Sequence, residues 1–119
     1  MFKNIYRLEA RAAERTGQSV FLLLLTVTDT QGQIPAIKLL NNSMDRLRDC
    51  LLHSLRRNDV VSRFSATQFV VMLSSLTFEN SLMVQGRILG RFKRENPRIA
   101  VRIHPKLQAM DPICMQERF

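Results

Sequence analysis

Tryptophan is absent from the chain, and tyrosine occurs once, at Tyr6. The interleaved aromatic platform on which a sheet stacks single-stranded bases is therefore missing. Glycine occurs only four times, with no cluster able to cradle a phosphate in a loop. The two cysteines, Cys50 and Cys114, belong to no CxxC or Cys/His group of metal-binding spacing, and both are expected as reduced thiols without special chemistry. His53 and His104 stand apart, with no serine, cysteine or acid at triad spacing. The longest apolar run, residues 20–25 continuing through Val27, falls well short of the roughly 20 residues that cross a bilayer, and no stretch resembles a cleavable signal peptide. A cytoplasmic protein without membrane contact is the expectation. Carboxylates are scarce as well: 10 Asp and Glu face 18 Lys and Arg, for a net charge of +8. Such a charge attracts nucleic acid, phosphorylated ligands or an acidic protein surface. The cations, however, run from Lys3 to Arg118 without forming one block, so direct nucleic-acid binding is not expected.

What is present suits one compact domain. A length of 119 residues supports a single core, and 45% hydrophobic with 24% charged residues is ordinary globular composition. Residues 1–16 read as an entry helix and 17–119 as the core. The helix, over residues 2–15, sets Phe2, Ile5, Tyr6 or Leu8, Ala12 and Ala13 against charged residues. Residues 19–28 are apolar without alternation, as in a strand covered on both faces at the middle of a sheet. Asp29 to Pro35 carry loop punctuation, with Pro35 suited to the first turn of a helix. Ile37, Leu40, Met44, Leu47, Leu51 and Leu55 then recur at helical spacing and predict a core-facing stripe.

Two short β-rich runs follow, residues 60–64 and 69–73, joined by Ser65, Ala66, Thr67 and Gln68 at hairpin separation. Thr77 is placed to cap a second long helix reaching about Arg94, with Leu82, Leu89 and Phe92 toward the sheet. Gly86 and Gly90 make a GxxxG, which suggests close backbone packing. Ile99, Val101 and Ile103 alternate with polar neighbours in a further strand, which Pro105 is expected to interrupt before an edge strand over residues 106–110. Strands mixed with two long helices predict an α+β fold: a mostly antiparallel central sheet covered by helices.

The run from Arg56 to Phe69, RRNDVVSRFSATQF, resembles the signature region of GGDEF domains, the diguanylate cyclase fold. That region has the form RxxD, five residues, then GGDEF. Arg56 and Asp59 match the RxxD, and Ser65, Ala66, Thr67, Gln68 and Phe69 stand where the pentad would be. Only Phe69 keeps the pentad's identity. The resemblance extends over about residues 2–105 and implies a nucleotidyl cyclase-like fold.

In that family, carboxylates hold divalent metal against the triphosphate of GTP. The resemblance places Thr26 at the metal-binding acid of the first strand, and Thr67 and Gln68 at the acidic pair of the hairpin tip. None of the three carries charge, and Asp29 lies three residues beyond Thr26, in the loop. Ser65 and Ala66 replace the two glycines that let backbone approach nucleotide. The resemblance thus implies a degenerate domain that is not an enzyme and uses no cofactor or metal.

Two readings of Arg56 and Asp59 stay open. The family's RxxD binds cyclic di-GMP, a task suited to the planar donor fork of arginine, with Arg57, Arg63 and Arg87 as further positive charge. Alternatively, Arg56 ends a helix and Asp59 makes a turn. The whole pattern is also similar to degenerate GGDEF-like domains appended to bacterial transcriptional activators. That similarity implies a regulatory module of a longer protein, working through other domains, a protein partner or a homodimer.

Overall fold

The computed structural model describes residues 20–74 and 77–110. The entry helix expected over residues 2–15, and Cys114, lie outside them. In chain order the elements are β1 (Val20–Asp29), α1 (Ile37–Ser54), β2 (Val60–Ser65), β3 (Gln68–Ser74), α2 (Phe78–Glu95) and β4 (Val101–Met110). The four strands form one sheet in the order β2-β3-β1-β4, with every described pairing antiparallel. The chain is an α+β fold in which two helices cover a four-stranded antiparallel sheet.

Side-chain alternation decides which face the helices take. On β1 the odd-numbered Phe21, Leu23, Leu25 and Val27 are buried, as are Phe69, Val71 and Leu73 on β3. They share one core with Leu40, Met44, Leu47, Cys50 and Leu51 of α1 and Val84, Ile88 and Phe92 of α2. The even-numbered Leu22, Leu24, Thr26 and Thr28 are half-buried. β1 is central, as expected; both helices pack against its odd-numbered side, while Val20 and the neighbouring Val70 and Met72 are buried on the other face.

The expected stripes hold at Leu40, Met44, Leu47 and Leu51 of α1 and at Phe92 of α2, and depart at the start of each helix. Ile37, the first residue of α1, is 69% exposed, while Ser43 and Cys50 join the buried face. The Ser43 hydroxyl is satisfied by donating to the Leu39 carbonyl at 2.6 Å. On α2, Leu82 is 43% exposed while Ser81, Val84, Ile88 and Phe92 face inward. A small residue at 81 lets the first turn sit close, and its hydroxyl bonds the Thr77 carbonyl at 2.9 Å. Gly86 and Gly90 are exposed, and a Cβ at either would meet nothing within 4 Å. Close packing around the GxxxG is therefore not its role among the described residues.

The start of α2 carries a side-chain cap, whereas α1 begins after Ala36 with none. The Thr77 hydroxyl accepts the Asn80 amide at 3.1 Å, as expected. Pro35 precedes the Ala36 cap instead of lying in the first turn. The C-terminal carbonyls of α1 are capped from α2: Arg87 donates to the Ser54 oxygen at 3.2 Å and Arg91 to the His53 oxygen at 3.1 Å. His53 itself sits at the surface, bonded to the Asp49 carbonyl. Cys50 donates to the Ile88 carbonyl at 3.5 Å, and burial pushes its thiol pKa up.

Pro105 does not interrupt the last strand. β4 runs continuously from Val101 to Met110, with Pro105 opposite Leu25. An edge strand has one hydrogen-bonding neighbour, so half of its amides point away from the ladder and a missing N–H costs nothing there. Among the described residues, no helix is long and apolar enough to cross a membrane.

The stripe assignment has a direct check by chemical denaturation. Leu47→Ala, at a fully buried site, is expected to cost about 2–5 kcal/mol. Ile37→Ala should change stability by no more than about 0.5 kcal/mol.

Candidate functional site

The end of β1 and the tip of the β2–β3 hairpin meet because the ladder puts them in register. Thr26 pairs with Gln68 on one side and His104 on the other. The turn itself is Ala66 and Thr67, since Ser65 and Gln68 are already paired strand residues. Between Arg63 and Ser65 the register shifts, as one extra residue in β2 requires.

The polar side chains at this junction bond one another. Gln68 Nε2 donates to Thr26 Oγ1 at 3.1 Å, and its Oε1 accepts from the Ser65 hydroxyl at 2.8 Å. Ser65 Oγ also accepts the Thr67 amide at 3.3 Å. Thr67 Oγ1 lies 3.5 Å from Ser65 Oγ. Ser65, Thr67 and Gln68 are half-buried, and Ala66 is exposed. Arg63 braces the turn from outside by donating to the Ser65 carbonyl at 3.1 Å and the Ala66 carbonyl at 3.0 Å. Its guanidinium also lies 5.9 Å from the centre of the buried Phe69 ring, within cation–π range.

Asp29 is the nearest carboxylate along β1, and it holds its own loop. Its Oδ1 accepts the amides of Gln31 at 2.8 Å and Gln33 at 2.9 Å. The loop closes through Gly32, whose φ of 80° lies in the left-handed region that glycine tolerates. His104 Nε2 lies 2.8 Å from Thr28 Oγ1 on the neighbouring strand. Among the described residues, no three His, Cys, Asp or Glu side chains converge where they could hold a metal ion.

Arg56 and Asp59 lie at the other end of β3, away from the hairpin tip. The Asp59 side chain is 1% exposed and that of Arg56 46%. Asp59 Oδ2 accepts the Arg56 amide at 2.9 Å, and Oδ1 accepts from the guanidinium at 3.1 Å. The same Nη2 donates to the Ser74 carbonyl at 2.8 Å, stapling the α1–β2 turn to the end of β3. The structure thus joins Thr26, Ser65, Thr67 and Gln68 in one cluster and leaves Arg56 and Asp59 as a separate one. Arg57 is exposed, and Arg87 is engaged at the end of α1. Arg63, read from sequence only as added charge, proves to be the brace of the turn. Its position two residues before Ser65 was the available signal.

No protein-family model and no curated protein matches the sequence. Solved structures do match its fold. The GGDEF domain of DgcB from Caulobacter crescentus, in complex with c-di-GMP, superposes with a TM-score of 0.77 at 12% identity over 98% of this chain and 77% of that one. The active GGEEF domain of a diguanylate cyclase from Vibrio cholerae gives 0.72 at 13% identity, over 90% of this chain and 72% of that one. Diguanylate cyclase SiaD from Pseudomonas aeruginosa, in complex with its activator SiaC, gives 0.70 at 18% identity, over 92% of this chain and 45% of that one. The chain therefore has the GGDEF, nucleotidyl cyclase-like fold.

The staple at Asp59 predicts a stability effect. Asp59→Ala strands the Arg56 amide and frees the guanidinium, so unfolding in denaturant should show a loss of about 1–3 kcal/mol. Arg57→Ala, at an exposed neighbouring site, should stay within about 0.5 kcal/mol of the unsubstituted protein.

Proposed function

We propose that this domain is a non-catalytic, regulatory member of the GGDEF-fold group that acts through contacts with other domains or with a protein partner. One observation carries the reading: Thr26 and Gln68, at two positions where the resemblance puts metal-binding acids, form an uncharged hydrogen-bonded cluster with Ser65. Hydroxyl and amide groups are weak ligands for Mg²⁺, which is held through carboxylates and phosphates. The Gln68 amide already spends a donor on Thr26 and its oxygen on Ser65. Ser65 and Ala66 add side chains to a turn where two glycines would leave the backbone open.

The fit to a regulatory module of a bacterial transcriptional regulator rests on the sequence pattern around residues 56–73. A cytoplasmic setting accords with it. SiaD, whose chain includes this fold, was solved in complex with its activator SiaC.

A second reading is favoured by one feature, the surface half of Arg56. Nearly half of that side chain remains exposed beside the staple, and the DgcB domain of the same fold was solved with c-di-GMP. Under this reading Arg56 and Asp59 bind the dinucleotide, Arg56 through phosphate or a guanine edge. The closed Arg56–Asp59 pair weighs against it, because Asp59 is already fully engaged with Arg56.

Calorimetric titration of the purified protein with GTP and with cyclic di-GMP, each with and without Mg²⁺, separates the readings. The regulatory reading expects no heat of binding in any of the four titrations. Binding of cyclic di-GMP that disappears in Arg56→Ala would establish the receptor instead. Conversion of GTP to a cyclic dinucleotide by contaminant-free protein would overturn both.

A further inference from the structure

The sheet has a second face against which neither α1 nor α2 packs. Strand alternation puts Leu22, Leu24 and Thr26 of β1 on it, and the register adds Val70 and Met72 of β3 and Lys106 of β4. None of these belongs to the core that the two helices share with the odd-numbered side chains. Val70 and Met72 are nevertheless buried, at 4% and 1% exposure. Leu22, Leu24, Phe64, Val70, Lys106 and Gln108 line a depression of about 160 Å³ on this face. That is small for a ligand pocket, which typically measures roughly 300–1,000 Å³, and it suits a single inserted side chain.

We infer that residues 2–15 of this same chain seat on the second face as an amphipathic helix antiparallel to β1, with Tyr6 over the depression and Glu9 beside Lys106. Reach and direction favour this segment. β1 begins at Val20, and residues 16–19, which include Gly17, leave room for a reversal of the chain. At about 1.5 Å per residue, a helix over residues 2–15 is about 21 Å long. The stretch of β1 from Val20 to Thr26 is about 20 Å long. Counted back from the turn, Tyr6 comes level with Leu24, and Phe2 with Thr26. Glu9 falls between Leu22 and Leu24, the β1 partners of Gln108 and Lys106.

Side-chain chemistry favours it as well. The two alanines of the apolar stripe, Ala12 and Ala13, come nearest Val20 and Met72, where the face is already filled. Glu9 lies three or four residues from each of Ile5, Tyr6, Ala12 and Ala13, and so stands in the middle of that stripe. A carboxylate placed there needs a cation when it is covered. Among the described residues the strands put no Asp or Glu on this face, and Lys106 forms no ion pair. Whether the domain binds nucleotide does not bear on this packing. Seated there, the helix masks the face on which Thr26 and Gln68 lie, and drawing it away uncovers Leu22, Leu24 and Val70.

Paramagnetic broadening in the full chain tests the placement. Cys114→Ser leaves Cys50 as the one native thiol, and its burial keeps it from reacting. A nitroxide is then attached through Arg102→Cys, an exposed site on the second face opposite Thr28, or as a control through Met83→Cys, an exposed site on α2. The label at 102 is expected to erase the amide signals of residues 3–6, with the loss fading toward Ala13, and the label at 83 to leave them. Lys106→Glu, which sets two acids together, should recover part of the lost signal, and Glu9→Lys added to it should erase that signal again. Survival of these signals beside the label at 102, equal loss from both labels, or a gradient running the other way would overturn the proposal. So would loss confined to residues 111–119, loss seen only between labelled and unlabelled molecules in a mixed sample, or indifference to the charge reversal.

Discussion

The pairing of β1 between β3 and β4 in a fixed antiparallel register is the constraint on which the rest of this structure depends. Because side chains alternate across a sheet, that register sends Leu23, Leu25 and Val27 into the core and turns Thr26 to the other face. A slip of one residue would bury the threonine hydroxyl and expose the leucines, so the burial of the odd-numbered face holds the polar cluster in place. The same ladder sets Thr26 opposite Gln68, and the 3.1 Å bond between them follows from strand pairing, with no loop needed to bring them together. Core packing and the geometry of the candidate site are in this sense one arrangement seen from two faces.

The basic charge acquires a different meaning once its partners are known. Five arginines spend donors on backbone or side-chain oxygens of the chain itself: Arg46 on Asn96, Arg56 on Ser74, Arg63 on Ser65 and Ala66, Arg87 on Ser54, and Arg91 on His53. Carbonyls at helix ends and turns lack partners in their own element and carry partial negative charge, which a planar guanidinium can cap from a neighbouring element. Five of the fourteen arginines are thereby explained by the joints of the fold. Net charge remains a long-range property, but it is a poor guide to which cations face a partner.

The fold was largely legible because its strongest signals are periodic. The apolar stretch of β1, the hairpin of β2 and β3, the Thr77 cap and the Leu40, Met44, Leu47 and Leu51 stripe all appear where their patterns place them. The misreadings have a common cause, which is that hydrophobicity alone does not fix a helix's rotation. Ser43 and Ser81 are buried because each hydroxyl bonds a carbonyl one turn back, while Ile37 and Leu82 are turned outward. Pro105 misled because the rule against proline in strands weakens at an edge, and edge position is a property of the whole sheet. At the site, the neutrality of Thr26, Thr67 and Gln68 could be read from sequence. Their mutual hydrogen bonds, and the brace supplied by Arg63, required the register.

Neutrality at that junction also has an energetic side. Carboxylates brought together by strand pairing at half-buried positions repel strongly unless a cation lies between them or one takes up a proton. A site built on such groups is pre-strained toward metal. Thr26, Gln68 and Ser65 carry no such strain, because the Gln68 amide donates to Thr26 and accepts from Ser65 and no charge is left to compensate. Replacing paired acids by a satisfied amide–hydroxyl chain therefore removes the need for an ion, and the hairpin can hold its shape on hydrogen bonds alone.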